Sequence, residues 1–446
     1  METVQKINQF VNSIVWGPFM LCVFVGVGIL YTVKLKFFQI RNFSFWWKNT
    51  FVSMLHTSEK NTSERGISPF QAMSTALAGA VGTGNIAGVA GAITLGGAGA
   101  IFWMWMAAIF GMASIYAENY LGITFREKQN GKYIGGPMYY IEKGLELKPL
   151  AIIFAFICTC AALGMGNMTQ ANSVAGSIYN GFGIPCQYSA IVISVLTAFI
   201  IIGGIKRISA ITEKVMPVIT VIYILVALIV IFININSLPS AIEKIFVSAF
   251  DIKAAAGGFM GYGMTQAIRY GISRGVFSNE AGLGTSPIVH AAAETDDPSI
   301  QGMWGIFQVF IDTIVLCTLM ALCIIMTGAD SISDDGIEVS TFAFESSLGA
   351  AGKVFLSVSI IIFAFATLIS WCYYGESSLS YLTGGKYIIP YRIIYSAAAY
   401  IGCIMNASLV WEISDTLNGL MAIPNLTALI MLSRFIKRPD IDKKIS

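Results

Sequence analysis

Long apolar stretches separated by short polar segments dominate the chain. Eleven of them approach the roughly 20 residues that a helix needs to cross the apolar layer of a membrane. The longest polar gap, 34–66, has 33 residues and leaves no room for a separate soluble domain. The pattern therefore predicts an all-α integral membrane protein in which residues 1–446 form a single membrane domain. The predicted spans are 11–33, 67–93, 97–123, 150–178, 187–204, 213–235, 255–293, 302–327, 352–374, 390–409 and 412–433.

Two segments mix aromatic or aliphatic residues with charged ones. Residues 37–57 and 238–250 are each too polar to cross a membrane and too apolar for an ordinary loop. This mixture is typical of helices that lie along the membrane surface. The first span, 11–33, is too long for the apolar part of a cleavable signal peptide, and no small-residue cleavage site follows it. We therefore expect it to be retained.

The composition excludes a soluble globular chain and a disordered one. Hydrophobic residues make up 56% of the sequence and charged residues 12%, against about 25% charged in soluble domains. The net charge is +2, and no basic face large enough for nucleic acid remains once the loops are counted. The eight cysteines fall mostly in apolar runs without metal-ligand spacing, so we expect them to be buried small hydrophobic residues.

The basic residues predict how the chain is oriented. If the N-terminus is outside, 21 of the 27 Lys and Arg residues fall in inside segments. Basic residues accumulate on the cytoplasmic side of membrane proteins, so we expect the C-terminus to be cytoplasmic. The inside segments are 34–66, 124–149, 205–214, 294–301, 375–392 and the tail from 434.

An internal symmetry follows the first span. Two sets of five spans, 67–235 and 255–433, each begin after a surface segment, and each opens with an interrupted helix. The interruptions are the glycine-rich stretches 82–85 and 277–284. Because five is odd, the two sets must enter the membrane in opposite directions. This is the inverted-repeat plan of many secondary transporters, whose broken helices point to the binding site.

The first break has the chemistry to bind a zwitterion. Glycines weaken a helix, and unwound backbone inside a membrane exposes N–H groups on one side and carbonyls on the other. The N–H groups near Thr83, Gly84 and Asn85 suit a carboxylate, and the carbonyls suit an ammonium group. Close helix packing by small residues is the alternative explanation for the glycines.

The second break carries three polar residues in a row, Ser278, Asn279 and Glu280. Such residues are costly inside a membrane unless they face a cavity or a partner. Glu280 has three possible roles: it caps a half-helix, pairs with Arg269 or Arg274, or carries a coupling proton.

Other polar residues lie within apolar spans. Asn167, Gln170 and Ser173 recur at helical spacing, and Gln170 either contacts the substrate or bonds a neighbouring helix. Ala364, Thr367 and Trp371 share a face of another helix, where a Thr367 hydroxyl would suit a sodium ion, which prefers oxygen ligands. Trp371 would line a pocket or pack in the core. Glu118 and Asp312 are expected to be hydrogen-bond anchors. The sequence has no catalytic constellation, and only two histidines.

Three motifs resemble the alanine or glycine:cation symporter family, within the amino acid-polyamine-organocation superfamily. They are FQAMSTALAGAVGTGNIAGVAGAITLGGAGAIFWMWMAA (70–108), GMGNMTQANS and GISRGVFSNEAGLGTSPIVHAAAETDDPSIQG (271–302). The resemblance covers nearly the whole chain. It implies the five-plus-five inverted repeat of amino-acid and neurotransmitter:sodium symporters, with 11–33 as an extra helix. The neurotransmitter:sodium symporters have a side-chain amide at the position of Gly79. We therefore expect that this chain lacks the second sodium site of that group.

The resemblance also implies the ligands of a shared substrate and ion site. The implied substrate residues are Thr83, Gly84, Asn85, Gln170, Ser278, Asn279 and Trp371, and Phe277 would help Trp371 to restrict the substrate side chain. The implied sodium ligands are carbonyls near Ala78 and Val81, with Ala364 and Thr367 opposite.

These observations predict a sodium-coupled symporter that imports alanine or glycine by alternating access in the plasma membrane of a prokaryote. We expect a monomer in the lipid bilayer, with sodium as the co-transported ion and no nucleic-acid partner. The alternatives are a symporter for glutamine or another larger neutral amino acid, and coupling to protons instead of sodium. A channel and an intramembrane enzyme are the rivals from other classes.

Overall fold

The computed structural model describes residues 2–56, 66–129, 131–250, 262–333, 335–405 and 407–441. Almost all of them are helical, because inside a membrane a helix satisfies every backbone N–H and C=O within its own segment. The prediction of an all-α membrane protein is confirmed. One small addition was not predicted: a two-stranded antiparallel hairpin of β1 (Glu127–Gln129) and β2 (Lys132–Ile134).

The first predicted span consists of two helices, α1 (Glu2–Val15) and α2 (Pro18–Lys34). The interruption at Trp16 and Gly17 follows from Pro18, whose ring suits the first position of a helix and not its interior. Trp16 fixes the junction by donating a hydrogen bond from Nε1 to the Asp415 carbonyl, at 2.9 Å.

The predicted surface helix at 37–57 is shorter and more broken than expected. It comprises α3 (Phe38–Arg41), α4 (Phe43–Trp47), a π-helical turn (Lys48–Val52) and α5 (Ser53–His56), and residue 57 lies outside the described residues. Lys36 and Phe37, with φ of 56° and 60°, turn the chain sharply before α3. The aromatic rings of this segment then pack on Phe307 and Phe310, which fixes its bends.

The first set of predicted spans is present, and its opening helix is interrupted where expected. A 3-10 turn (Thr83–Asn85) separates the halves of that helix, and a π-helical turn (Gly164–Met168) divides the predicted span 150–178. The helices of this set are α6 (Pro69–Ala80), α7 (Ala87–Gly96), α8 (Ala100–Thr124), α9 (Pro137–Leu145), α10 (Lys148–Leu163), α11 (Thr169–Phe182), α12 (Cys186–Ile201) and α13 (Gly204–Ile233).

The second set begins with the predicted surface helix at 238–250. The predicted span 255–293 starts outside the described residues, and its described part is a helix broken at the expected place. A π-helical turn (Phe310–Cys317) again lies inside a span. The helices are α14 (Leu238–Ala249), α15 (Tyr262–Asn279), α16 (Ser286–His290), α17 (Pro298–Val309), α18 (Thr318–Thr327), α19 (Gly336–Leu348), α20 (Ala350–Thr383), α21 (Ile388–Ile404) and α22 (Ala407–Met431).

Within the described residues, six helical segments are both long and apolar enough to cross a membrane unaided, and α7, α12 and α21 are shorter apolar helices. Large apolar side chains such as Phe19, Phe232 and Ile389 point outward. Polar side chains of the breaks point inward and are buried. Apolar side chains outside and polar ones inside are the reverse of the arrangement in a soluble protein. The candidate site therefore lies among the helices, away from lipid.

Candidate functional site

The first break is a tight turn that supports itself. The helix α6 starts with a capping box, in which Ser68 and Gln71 satisfy each other's backbone N–H groups. It ends at Ala80, and the Asn85 side chain then folds back to accept a hydrogen bond from the Gly82 N–H, at 3.2 Å. The glycines and Asn85 therefore unwind the helix here, as their sequence predicts.

Three of the four expected sodium ligands lie together. The Thr367 hydroxyl on α20 is 2.8 Å from the Ala78 carbonyl oxygen and 3.2 Å from that of Val81. Ala364 is buried on the same helix, just under one turn earlier. A Cβ at Gly82 would lie 2.6 Å from the Thr367 hydroxyl, so only glycine allows this approach. The three oxygens make a set of hard donors that fits a sodium ion.

Gln170 contacts the first break. Its Oε1 atom accepts hydrogen bonds from the Thr83 N–H, at 3.4 Å, and from the Thr83 hydroxyl, at 3.3 Å. Asn167, expected on the same face, instead donates to the Tyr395 carbonyl of α21. Ser173 bonds the Thr169 carbonyl of its own helix. The expectation of one shared face is wrong for Asn167, because the π-helical turn at Gly164–Met168 shifts the helical phase ahead of Gln170. For Ser173, which lies on the same helix as Gln170, it stays a prediction.

The second break is capped by Glu118, from the C-terminal half of α8. Glu118 Oε1 accepts hydrogen bonds from the N–H groups of Gly282 and Gly284, at 3.1 and 3.0 Å, and from the Asn425 amide, at 2.5 Å. The expectation that Glu118 is a hydrogen-bond anchor is confirmed. Its carboxylate occupies the place where the unwound chain offers free N–H groups, as expected from the charge at a helix start.

Glu280 faces a tryptophan and a hydroxyl. It accepts hydrogen bonds from Trp371 Nε1, at 3.0 Å, and from the Thr285 hydroxyl, at 2.6 Å. The proposed pairing with Arg269 or Arg274 is therefore wrong. Arg274 instead pairs with Asp415, at 3.2 Å, and Arg269 lies over the Tyr270 ring, because both arginines precede the break by one or more helical turns.

Asp312 joins the two breaks. Its Oδ1 atom accepts from the Asn85 amide, at 2.7 Å, and its Oδ2 atom accepts from the hydroxyls of Ser278, at 2.9 Å, and Thr313, at 2.7 Å. Asn279 continues this network by donating to Thr313, at 3.3 Å. The expectation that Asp312 is an anchor is confirmed.

The two breaks also touch through Gly84 and Phe277. A Cβ at Gly84 would lie 3.3 Å from the Phe277 ring. The other face of the site is bounded by Trp411, whose ring stacks on Phe277 with centroids 5.7 Å apart. All eight expected substrate residues thus belong to one buried region, although the side chains contact different partners within it.

The region is closed to solvent. Gln170, Ser278 and Trp371 are each at most 1% exposed. Three carboxylates, Glu118, Glu280 and Asp312, lie there, and within the described residues none of them forms an ion pair with a basic side chain. Buried negative charge without a counter-ion is unfavourable in a membrane, so the region favours a bound cation or protons.

A cavity of about 370 Å³ lies beyond the closed region, at one end of the membrane domain. Its lining includes Gly66 and Ile67, which precede the first broken helix, and Ala292, which follows the second. The ion pair of Glu376 and Arg392, at 2.7 Å, forms part of its wall. Ile67 and Ala293 pair there as an isolated parallel bridge, so the outer ends of the two broken helices meet beside this cavity.

Sequence reasoning missed how the anchors connect the site. Asn425, Thr313 and Cys317 were not singled out, although Cys317 lies 3.4 Å from both Asn85 and Ser278. The available signal was the presence of Glu118 and Asp312 in apolar spans. Their partners lie up to 307 residues away along the chain, at distances that the sequence does not reveal.

Comparison with known proteins gives a consistent picture. A family model described as the sodium:alanine symporter family matches residues 1–440. A sodium/alanine symporter, AgcS of Methanococcus maripaludis, is 44% identical over 97% of this chain and 95% of its own length. A probable sodium/glutamine symporter, GlnT of Bacillus subtilis, is 37% identical over 98% of this chain and 90% of its own.

Solved structures match the fold at low sequence identity. The crystal structure of MhsT in complex with L-phenylalanine has a TM-score of 0.60 and 13% identity, over 84% of this chain and 90% of that one. The closed conformation of Mhp1, a nucleobase-cation-symport-1 family transporter, has a TM-score of 0.51 over 85% and 81%, also at 13% identity. These likenesses show the all-α transporter fold.

Proposed function

The chain belongs to the sodium:alanine symporter family, and we propose that it is a sodium-coupled symporter whose substrate is alanine, glycine or both. A membrane transporter of this family moves an amino acid together with sodium. The finer proposal concerns which amino acid it moves, which ion drives it and which residues bind them. The protein is not an enzyme, since its family and the solved structures that share its fold are transporters.

The observation that carries the proposal is the set of three oxygens around Thr367. The hydroxyl contacts two carbonyls of an unwound helix, at 2.8 and 3.2 Å. Carbonyl and hydroxyl oxygens suit a hard cation, and the nearby carboxylates add negative potential. We assign sodium to this place, with Ala78, Val81 and Thr367 as ligands and Ala364 supplying a carbonyl from the preceding turn.

The proposed substrate site lies between the two breaks. The N–H groups of Thr83 and Gly84 would bind the carboxylate, and Gln170, Ser278 and Asn279 would supply polar contacts. Phe277 and Trp371 would bound the side chain. The close approach of Gly84 to the Phe277 ring leaves little room there, which supports a small substrate.

Transport would follow from alternating access to this buried site. The observed state is closed at the breaks, and the cavity bounded by Gly66, Ala292 and Arg392 supports an aqueous route on one side. We propose that this side is cytoplasmic, with the N-terminus outside, in the plasma membrane of a prokaryote. Sodium drives transport by binding one conformation better than the other, which shifts the population of states.

The proposal is tested by uptake of labelled L-alanine into proteoliposomes containing the purified protein. An inward sodium gradient is expected to drive accumulation, whereas potassium or proton gradients alone are not. Unlabelled glycine is expected to compete better than glutamine. Accumulation on a proton gradient without sodium would contradict sodium coupling, and stronger competition by glutamine would favour the larger substrate, as in the name of the Bacillus relative.

The ion site has its own test. Thr367→Val keeps the shape of the side chain but removes one oxygen, so the sodium concentration for half-maximal uptake is expected to rise about tenfold or more, since tenfold corresponds to roughly 1.4 kcal/mol. Thr427→Val is the matched control, because the Thr427 hydroxyl is exposed and bonds only the Ile423 carbonyl of its own helix among the contacts seen here. An unchanged sodium dependence in Thr367→Val would contradict the assignment.

A further inference from the structure

A concentrated positive charge lies at one end of the membrane domain, outside the transport site. Two chain segments contribute it, one after α2 and one after α22. Within 31–56 and 429–439 the sequence has no Asp or Glu. We call this the basic surface, and its members are Lys34, Lys36, Arg41, Lys48, Arg434, Lys437 and Arg438.

The fold holds the two segments side by side. The Tyr31 hydroxyl donates to the Leu429 carbonyl, at 2.5 Å, where the helices α2 and α22 approach their ends. Further along, Arg438 Nη2 donates to Asn42 Oδ1, at 2.8 Å. Tyr116 lies between these points and contacts both segments, the Phe38 ring at 6.1 Å and the Lys437 carbonyl at 2.9 Å. The charges therefore emerge together, at the level where two membrane helices end.

One guanidinium N–H group of the basic surface lacks an acceptor. Arg438 Nε is buried and has no hydrogen-bond partner within the described structure, although its Nη2 is fixed by Asn42. A buried N–H without an acceptor is unfavourable, so the site favours an incoming oxygen. Asp440 lies two positions after Arg438 in the sequence. Of the nearby acids, Glu127 of β1 pairs with Lys143, and Glu142 of α9 pairs with Lys148.

Exposed apolar side chains accompany the charges. Phe37, Ile40 and Phe43 are 41%, 55% and 42% exposed, on the same segment that carries Arg41. The left-handed backbone at Phe37 turns this segment away from α2, and Arg41 lies 5.5 Å over the Phe37 ring. Basic groups beside exposed apolar ones suit a molecule with an anionic head and an apolar body.

We propose that the basic surface is a binding site for an anionic phospholipid, whose phosphate is bound by the basic residues around Arg438. Clusters of basic residues next to a membrane helix attract anionic lipid, and each contributes separately. A soluble anion would satisfy the charge but would not cover the exposed apolar surface beside it. The site is independent of the assigned substrate and ion.

The test uses the full-length protein in detergent and in bilayers. Native mass spectrometry measures retained lipid after exposure to mixtures of phosphatidylglycerol and phosphatidylcholine, and thermal unfolding measures stabilisation by each. The variant is Lys36→Gln with Arg434→Gln and Arg438→Gln. The matched control removes three charges elsewhere, Lys128→Gln with Lys132→Gln and Lys386→Gln. Added inorganic phosphate separates a lipid site from a soluble-anion site.

The wild type and the control are expected to retain phosphatidylglycerol over phosphatidylcholine, and the variant to lose about tenfold or more of that preference. Equal retention by the variant, an equal loss in the control, or displacement by free phosphate would each overturn the proposal. If the triple variant does not fold, Arg434→Gln alone is used, because Arg434 is exposed. It is expected to reduce the thermal shift produced by phosphatidylglycerol, and an unchanged shift would count against the site.

Discussion

At the scale of single residues, Glu280 is the most unusual member of the site. It has a φ of 59°, a conformation that non-glycine residues adopt at a cost. Hydrogen bonds from Trp371 and Thr285 to its carboxylate offset part of this conformational cost. Because Trp371 also bonds the Gly79 carbonyl, at 3.2 Å, the indole links the first break to the second. Glu280 thus positions Trp371, which is expected to bound the substrate.

This role predicts coupled effects of two substitutions. Trp371→Phe removes the donor of this hydrogen bond, whereas Glu280→Gln keeps an acceptor oxygen and removes its charge. A hydrogen bond to a charged group contributes about 1.5–3 kcal/mol and one between neutral groups about 0.5–1.5 kcal/mol. We therefore expect sodium-driven uptake to fall roughly ten- to hundredfold in Trp371→Phe and less, up to about tenfold, in Glu280→Gln. The double variant is expected to be little worse than Trp371→Phe, since the shared bond can be lost only once.

The same variants separate positioning from proton coupling. If Glu280 carries a coupling proton, Glu280→Gln abolishes the dependence of uptake on a proton gradient, whereas Trp371→Phe leaves it. If Glu280 only positions the indole, both variants keep sodium dependence and respond alike to pH. Fully additive losses in the double variant would argue against the hydrogen bond as the source of either effect.

At the scale of elements, the breaks depend on glycines for close approach. A Cβ at Gly82 would lie 2.6 Å from the Thr367 hydroxyl and 3.0 Å from Gln170 Oε1. Gly91, on the adjoining α7, has no neighbouring atom within 4 Å of such a Cβ. Gly82 therefore has no room for a side chain and Gly91 does, although both belong to the same interrupted span.

We expect Gly82→Ala to abolish uptake, because overpacking costs about 1–3 kcal/mol and displaces the proposed ion ligand. Gly91→Ala is expected to preserve uptake and to raise stability by up to about 1 kcal/mol, since alanine favours a helix over glycine. Uptake and thermal unfolding in the same detergent check both variants. Normal sodium-driven uptake by Gly82→Ala would show that the turn can move to accept a Cβ, and it would contradict the requirement for glycine at this position.

The elements also show what the sequence predicted and what it did not. Apolar length alone identified both ends of α8 and α12 and the end of α13 to within a few residues, because lipid imposes that pattern. The start of α13 lies about two and a half turns before the predicted one. The hairpin of β1 and β2 and the polar helices α9 and α19 were missed, since short amphipathic elements leave weak periodicity. The glycines of 82–85 predicted a break correctly. The phase shift at Gly164–Met168 was not predicted, and it separated Asn167 from Gln170.

The site itself was predictable only in part. Residue types placed Thr83, Ser278 and Thr367 in one region, through the pairing of breaks and the resemblance of their motifs. The hydrogen-bond partners of Glu118 and Asp312 were not predictable in the same way, because they come from helices that are distant in the sequence. Asp312 bonds Asn85 across 227 positions of the chain, a contact that depends on how whole helices pack.

At the scale of the whole molecule, one cavity reaches the chain at Gly66 and Ala292, and a second cavity of about 260 Å³ is lined by residues that include Asn172 and Met405. Contacts at the cavity end hold the first half-helix against α13, since Gln71 donates to Glu213, at 2.8 Å, and Thr75 contacts Thr212, at 2.9 Å. Arg126 donates to the carbonyls of Ala293 and Thr295, both at 2.6 Å, beyond the second half-helix. Water can replace these polar contacts when this end opens.

The proposed orientation is tested by labelling single cysteines from each side of the membrane. Ser377 lines the cavity, and Ser346 is exposed on α19, in a segment assigned to the opposite side. In a background lacking the accessible native cysteines, Ser377→Cys is expected to react with an impermeant maleimide only from inside. Ser346→Cys is expected to react only from outside. The reverse pattern would invert the topology, and reaction of both from one side would contradict the predicted spans.

The same pair of cysteines tests alternating access. Sodium alone is expected to change the rate at which Ser377→Cys reacts, and sodium with L-alanine to change it further, because each ligand shifts the population of states that it binds better. Ser346→Cys, away from the cavity, serves as the control and is expected to react at one rate throughout. A several-fold change in Ser377→Cys requires a ligand to favour one state by only about 1 kcal/mol. If neither ligand changes the rate while uptake is intact, the cavity is not the route to the site, and the closed region must open elsewhere.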